Sequence, residues 1–177
     1  LAKAINQAIL DHNKPTAPDG LYHCASFAVL SMEEISGIPA SDSAQPKTQV
    51  TVYGHALHQA FGFSGHTFHT AQASHIPVAL SFTLQDGNYI LAEYWEPRSG
   101  NFYAEDIQNK FPDEIEEEAL NNQKYLLSQT QHCYEQAIQY GGVDASYAVE
   151  YLFDVISSSP TTASRPVAYI GAHPAEY

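Results

Sequence analysis

Pro77-Val78-Ala79-Leu80-Ser81-Phe82-Thr83-Leu84, then Gln85-Asp86-Gly87-Asn88, then Tyr89-Ile90-Leu91-Ala92-Glu93-Tyr94-Trp95 is the stretch that decides the fold. Two runs rich in β-branched and aromatic residues flank an Asp-Gly pair, which tolerates the two positive φ angles of a type I′ turn, so the segment reads as a β-hairpin over 77–95. Such a turn fixes the register and places Leu84 opposite Tyr89 and Phe82 opposite Leu91. Strict alternation then gives one apolar face carrying Val78, Leu80, Phe82, Leu84, Tyr89, Leu91 and Trp95. It also forces Glu93 onto that face, opposite Leu80, with Tyr94 on the other side.

Upstream of the hairpin, Ile5, Ala8, Ile9 and His12 share a helical stripe that Pro15 and Pro18-Asp19-Gly20 bring to an end. Residues 21–35 are partly apolar at both odd and even positions, as in a central strand. Residues 37–47 are a loop. The stretch 49–61 begins as a strand, although 55–60 could equally open a helix, and 61–74, rich in glycine and histidine, reads as a mobile loop. Downstream, Pro97-Arg98-Ser99-Gly100 is a second turn. Pro112 followed by Asp113, Glu114, Glu116, Glu117 and Glu118 marks a helix N-terminus, where carboxylates meet the positive end of the dipole. Ile115, Ala119, Leu126, Thr130, Cys133 and Ala137 continue its apolar stripe to a stop at Gly141-Gly142, with a candidate break at Asn121-Asn122. A further helix is expected over about 145–156, and a polar tail from about 157. The expectation is an α+β fold in one globular domain, 1–177: an antiparallel sheet with a hairpin at 77–95, packed against a long helix at 112–140 and a second C-terminal helix.

Composition narrows the function classes. Among 177 residues, 7 are basic and 20 acidic, a formal net charge of −13, and the few cations form no cluster. The electrostatic footprint for nucleic acid or anionic lipid is therefore missing. A hydrophobic fraction of 44% is far too high for a disordered chain. The longest apolar runs, such as 76–82, fall well short of the ~20 residues of a spanning helix, so direct membrane insertion is not expected. A chain that opens on Leu1 rather than Met reads as a fragment or a mature form.

Nine histidines are many for this length, and His55, His58, His66 and His69, with His75 nearby, have spacings at which imidazoles chelate zinc or copper. On a strand, however, residues three apart point to opposite faces, so His55 and His58 would diverge; only a helical turn brings them together. Glu93 is the second candidate, because a carboxylate on an apolar face must be paired, hydrogen-bonded or at a rim. Arg98 is its nearest cation, and Tyr94 and Trp95 beside it could line a groove. A structural Glu93 pinned by Arg98 or a tyrosine hydroxyl is the plainer alternative to a ligand-facing or general-base one. The acidic run 113–118 lacks a calcium-loop pattern and is a solvated helix start. No H-E-x-x-H, G-x-S-x-G, phosphate loop or G-x-G-x-x-G occurs, so no catalytic residue is assigned. The two cysteines, Cys24 and Cys133, read as buried free thiols or as a pair closing a long loop.

Several segments together carry a resemblance: Val52-Tyr53-Gly54, the run from Pro77 to Phe82, the run from Tyr89 through Trp95-Glu96-Pro97-Arg98-Ser99-Gly100, Lys110-Phe111-Pro112, Ser158-Ser159-Pro160 and His173-Pro174-Ala175-Glu176-Tyr177. Their order resembles an uncharacterised extracytoplasmic domain of Gram-positive, clostridia-like bacteria, found in secreted or lipid-anchored proteins. It is also similar to the C-terminal parts of membrane metallopeptidases of the β-lactam-sensing antirepressor type. The resemblance implies a place outside the membrane, reached by secretion or through an anchor not present in this chain, and it transfers no catalytic residue. In that family the positions of His55 and His58 tend to be aromatic, which argues against a metal there. The expected function is a non-enzymatic sensor or interaction domain without a cofactor. It would present a groove at Glu93, Tyr94, Trp95 and Arg98 to a peptide, glycan or protein partner at the cell envelope. The alternatives are a histidine-mediated metal-binding protein and a hydrolase using Glu93.

Overall fold

The computed structural model describes residues 1–17, 19–38, 47–65 and 67–142. The helix expected over 145–156, the tail from 157 and His66 lie outside them. In chain order the elements are α1 (Ala2–Asn13), β1 (Tyr22–Ile38), β2 (Lys47–Ser64), β3 (Thr67–Gln85), β4 (Asn88–Trp95), α2 (Tyr103–Lys110), α3 (Glu116–Leu120) and α4 (Gln123–Gly141). The fold is α+β. The strands form one antiparallel sheet in the order β1-β2-β3-β4, and the 77–95 hairpin lies within β3 and β4.

The strands are long. At about 3.4 Å per residue the 18 residues of β2 run on the order of 60 Å, more than one helix of ordinary length can cover. The core is accordingly divided. On one face α1 contributes Ile5, Ala8 and Ile9 against Ala25, Val52, Ala56, Val78, Leu80 and Phe82. On the other, α4 covers one end, where Cys133, Tyr134 and Ala137 meet Cys24, Leu57, Phe61 and Phe68. The opposite end of that face is covered by α2 and α3, which bring Ile107, Phe111 and Ala119 onto Tyr53 and Ala79. Phe61, Phe68 and Tyr134 meet edge to face with centroids 5.3 to 5.6 Å apart. Each phenylalanine buried in this way contributes roughly 2–3 kcal/mol by area alone.

The turn behaves as its chemistry requires: Asp86 and Gly87 have φ of 51° and 78°, and Leu84 pairs with Tyr89 and Phe82 with Leu91. Three sequence expectations are corrected. First, the ladder skips Ala92, so Glu93 pairs with Ser81 rather than Leu80, Tyr94 takes the place opposite Leu80, and Trp95 faces Ala79. A bulge is the inexpensive way to keep an ionised carboxylate off an apolar face, since one unpaired residue reverses every side chain beyond it. Second, 61–74 is two strand arms around a turn at Gly65, held by Phe61, Phe63 and Phe68, and 55–60 is strand throughout. Third, among the described residues β1 is an edge strand; both of its sides are apolar because α1 packs on one sheet face and α4 on the other. The helical stretch expected over 112–140 is divided into α3 and α4 at the candidate break, Asn121-Asn122, and α4 stops at the expected glycine pair, where Gly142 has a left-handed φ of 59°.

Candidate functional site

Of the residues expected to line a groove, Glu93 and Trp95 share one sheet face under Lys110, whereas Tyr94 lies on the other. Glu93, turned outward by the bulge, accepts a bond from Lys110 Nζ at 2.9 Å, and the lysine lies over the Trp95 ring. Arg98, its expected partner, is committed elsewhere: Asp106 accepts from the Arg98 backbone N–H at 2.8 Å, Nε at 2.9 Å and an Nη at 2.6 Å. These bonds hold the Asp106 carboxyl at about 2, well below the usual carboxylate range. Tyr94 goes to the α1 face, where its ring stacks on His12 at 3.9 Å, and burial pushes its hydroxyl pKa up. Trp95 goes to the opposite face against Phe111. Glu93 and Lys110 neutralise one another near the surface, where such a pair contributes about 0–1 kcal/mol. Replacing Glu93 with Gln is accordingly expected to leave the urea midpoint nearly unchanged, a shift equivalent to less than about 0.5 kcal/mol. A loss of several kcal/mol on equilibrium unfolding would contradict that placement.

The histidines are divided by the sheet. His55 and His75 lie on the α4 side with ring centroids 5.4 Å apart, whereas His58 faces α1 beside His23, their nitrogens 3.0 Å apart. His69 is exposed near the far turn, against Gly62. Among the described residues no group of three or more His, Cys, Asp or Glu side chains is placed to hold one metal ion.

Hydrogen bonds fix which ring nitrogen donates in the α4-side pair. The Gln129 amide nitrogen donates to the carbonyls of Ser26 (3.0 Å) and His55 (2.8 Å), so its oxygen faces His75 Nε2 at 2.9 Å and accepts from it. His55 Nε2 donates to the Glu118 carbonyl at 3.1 Å, leaving a buried Nδ1 lone pair without a hydrogen-bond partner among the described residues. Both rings therefore donate at Nε2, and burial lowers both pKa values. Above them Glu118 takes bonds from Lys124 and Tyr125, which lock the α3–α4 corner. Gln129 is the residue sequence reasoning missed; a carboxamide at a stripe position of a core helix was its only sequence signal.

One strand segment stands out by exposure. The outer part of β1 carries Val29, Met32 and Ile35 at 57%, 55% and 57% exposure, with exposed Glu33 and Glu34 between them. Among the described residues β1 pairs only with β2, so its outer backbone edge is unpaired. No protein-family model, curated protein or solved structure matches the chain.

Proposed function

We propose that this chain is a non-enzymatic interaction domain that works outside the cell membrane and binds an extended peptide segment of a partner along the outer edge of β1. The observation that carries the reading is Val29, Met32 and Ile35 on a strand edge that is unpaired among the described residues. Single exposed apolar residues are ordinary, but three within seven positions of an edge strand form a template for strand addition, with main-chain bonds for affinity and side-chain pockets for selectivity. Glu33, Glu34 and the net charge of −13 select an apolar segment interspersed with Lys or Arg. The extracytoplasmic setting is supported by the motif resemblance alone. The ionic groups near the hairpin favour binding over catalysis, because Arg98 and Lys110 are each already paired with a carboxylate of the same chain.

Panning a random peptide library against the immobilised protein tests this. Selected peptides should alternate β-branched or aromatic residues with Lys or Arg, and binding should fall at least tenfold when Val29 and Met32 are replaced by Lys. Both positions are exposed, so the variant keeps its fold. An absence of enriched peptides, or enrichment indifferent to those two substitutions, overturns the proposal.

A further inference from the structure

Cys24 on β1 and Cys133 on α4 sit 109 positions apart in sequence and against each other in space. Both are buried in the cluster formed by Leu57, Phe61, Phe68, Tyr134 and Ala137. The Cys24 thiol donates to the Cys133 carbonyl at 3.5 Å, and the Cys133 side chain is in turn hydrogen-bonded to Cys24. The sequence holds no other cysteine, so neither thiol has a competing partner within the chain. We infer that Cys24 and Cys133 are the site of an internal disulfide that ties the edge strand of the sheet to its covering helix.

The chemistry sets when the bond forms. In the folded chain the hydrogen bond with Cys24, and then burial, push the Cys133 thiol pKa up, and a neutral thiol shut away from solvent is a poor nucleophile. The cross-link therefore forms during folding, by exchange with a low-molecular-weight disulfide. One cysteine thiolate attacks a sulfur of that reagent, breaking its S–S bond, releasing one thiolate and leaving a mixed disulfide on the protein. The second cysteine thiolate then attacks the protein-bound sulfur and expels the other thiolate. The two protein thiols lose two electrons and two protons, and the reagent is reduced to two thiols. A bridge closing so long a loop restricts mainly the unfolded chain, and its benefit grows with loop length. This inference does not depend on what the edge of β1 binds.

The test is to refold the denatured protein in a mixture of oxidised and reduced glutathione, and separately in excess reductant. The Tm of each product is measured, and a portion of each is then alkylated under denaturing conditions for its intact mass. The oxidised product is expected to be a monomer, two hydrogen atoms lighter and carrying no alkyl group. Its Tm should be higher by roughly 10 °C, on the scale expected for a cross-link of this span. Reduction after unfolding should abolish that rise. A monomer that takes two alkyl groups after oxidative refolding overturns the inference, as does a cross-linked form no more stable than the dithiol. Both measurements use the unmodified sequence, so the result stands even if a Cys24→Ser control fails to fold.

Discussion

Replacing Gly54 with Ala is expected to lower the stability of this protein by about 3 kcal/mol or more, a drop in Tm on the order of 10 °C for a chain of this size. A methyl group at that position would lie 2.1 Å from the Ala28 carbonyl oxygen and 2.7 Å from the Phe27 ring, far inside any contact a real Cβ makes. Gly54 pairs with Val29, where the β1–β2 ladder slips past Leu30, so the backbone of β1 dips toward β2 at the one residue that has no side chain to meet it. The nearest obstacle is main chain; accommodating the methyl therefore requires β1 to move and its ladder bonds to break. Gly62→Ala supplies the comparison within the same strand. Its added methyl would also clash, at 2.6 Å, but with the ring of exposed His69, which can swing into solvent. That change should cost less than about 1 kcal/mol. Urea midpoints for the two variants check the contrast. Equal losses at the two sites would show that backbone approach at Gly54 is not what constrains it.

A second slip, in the β3–β4 ladder, separates what the sequence could reveal from what it could not. Asp86-Gly87 and the alternation around it made the hairpin and its first pairs legible, because turn chemistry and a two-residue period are local properties. The bulge at Ala92 was not legible. Nothing in the order of residues 89–95 marks an extra position; only the unfavourable burial of Glu93 under strict alternation hinted that the ladder had to break. The long arms of β2 and β3 were hidden for another reason. Histidines, glycines and glutamines around Phe61 and Phe68 look like loop composition, yet those two rings, set under Tyr134, bury enough surface to hold the arms in place. A helix at Tyr103–Lys110 had a signal that went unused: Tyr103, Ile107 and Phe111 recur four apart and reach the core as one stripe.

The candidate site was legible in its residue types but not in their partners. The opposite orientations of His55 and His58 followed from strand geometry and hold in the structure. Arg98 was a reasonable partner for Glu93 by proximity in sequence. The pairings found, Arg98 with Asp106 and Glu93 with Lys110, depend on where α2 docks, a tertiary fact that no local pattern contains.

The buried imidazoles should make the fold acid-sensitive in a window set by histidine rather than by carboxylates. Burial, and then the neighbouring His23, pull His58 down to about 4, while burial lowers His55, His75 and His23 from their ordinary value of 6.5. A base whose pKa is depressed by folding is neutral in the folded chain and binds its proton more readily in the unfolded one. Its contribution is fully present above the unfolded value, is lost as pH falls below about 6.5, and stops changing below the folded value. Around His58 the charged and titratable neighbours are His23 on β1 and, through it, Lys14 beyond α1; both disfavour a second positive charge. Around His55 and His75 the Glu118 carbonyl and carboxylate and the Gln129 carboxamide oxygen act the other way, but burial outweighs them. His58 alone should then remove on the order of 2 kcal/mol between about pH 7.5 and about pH 4.5, with smaller losses from the other rings. Urea unfolding across that interval should show the midpoint falling most steeply between about pH 6.5 and about pH 5, where most carboxylates still carry their charge in both states. His58→Gln should flatten the slope there even if it lowers stability at neutral pH, because an amide cannot take up the proton. A midpoint constant across that interval, or a slope as steep in the Gln variant as in the parent, would mean that His58 accepts its proton inside the fold as readily as in the unfolded chain.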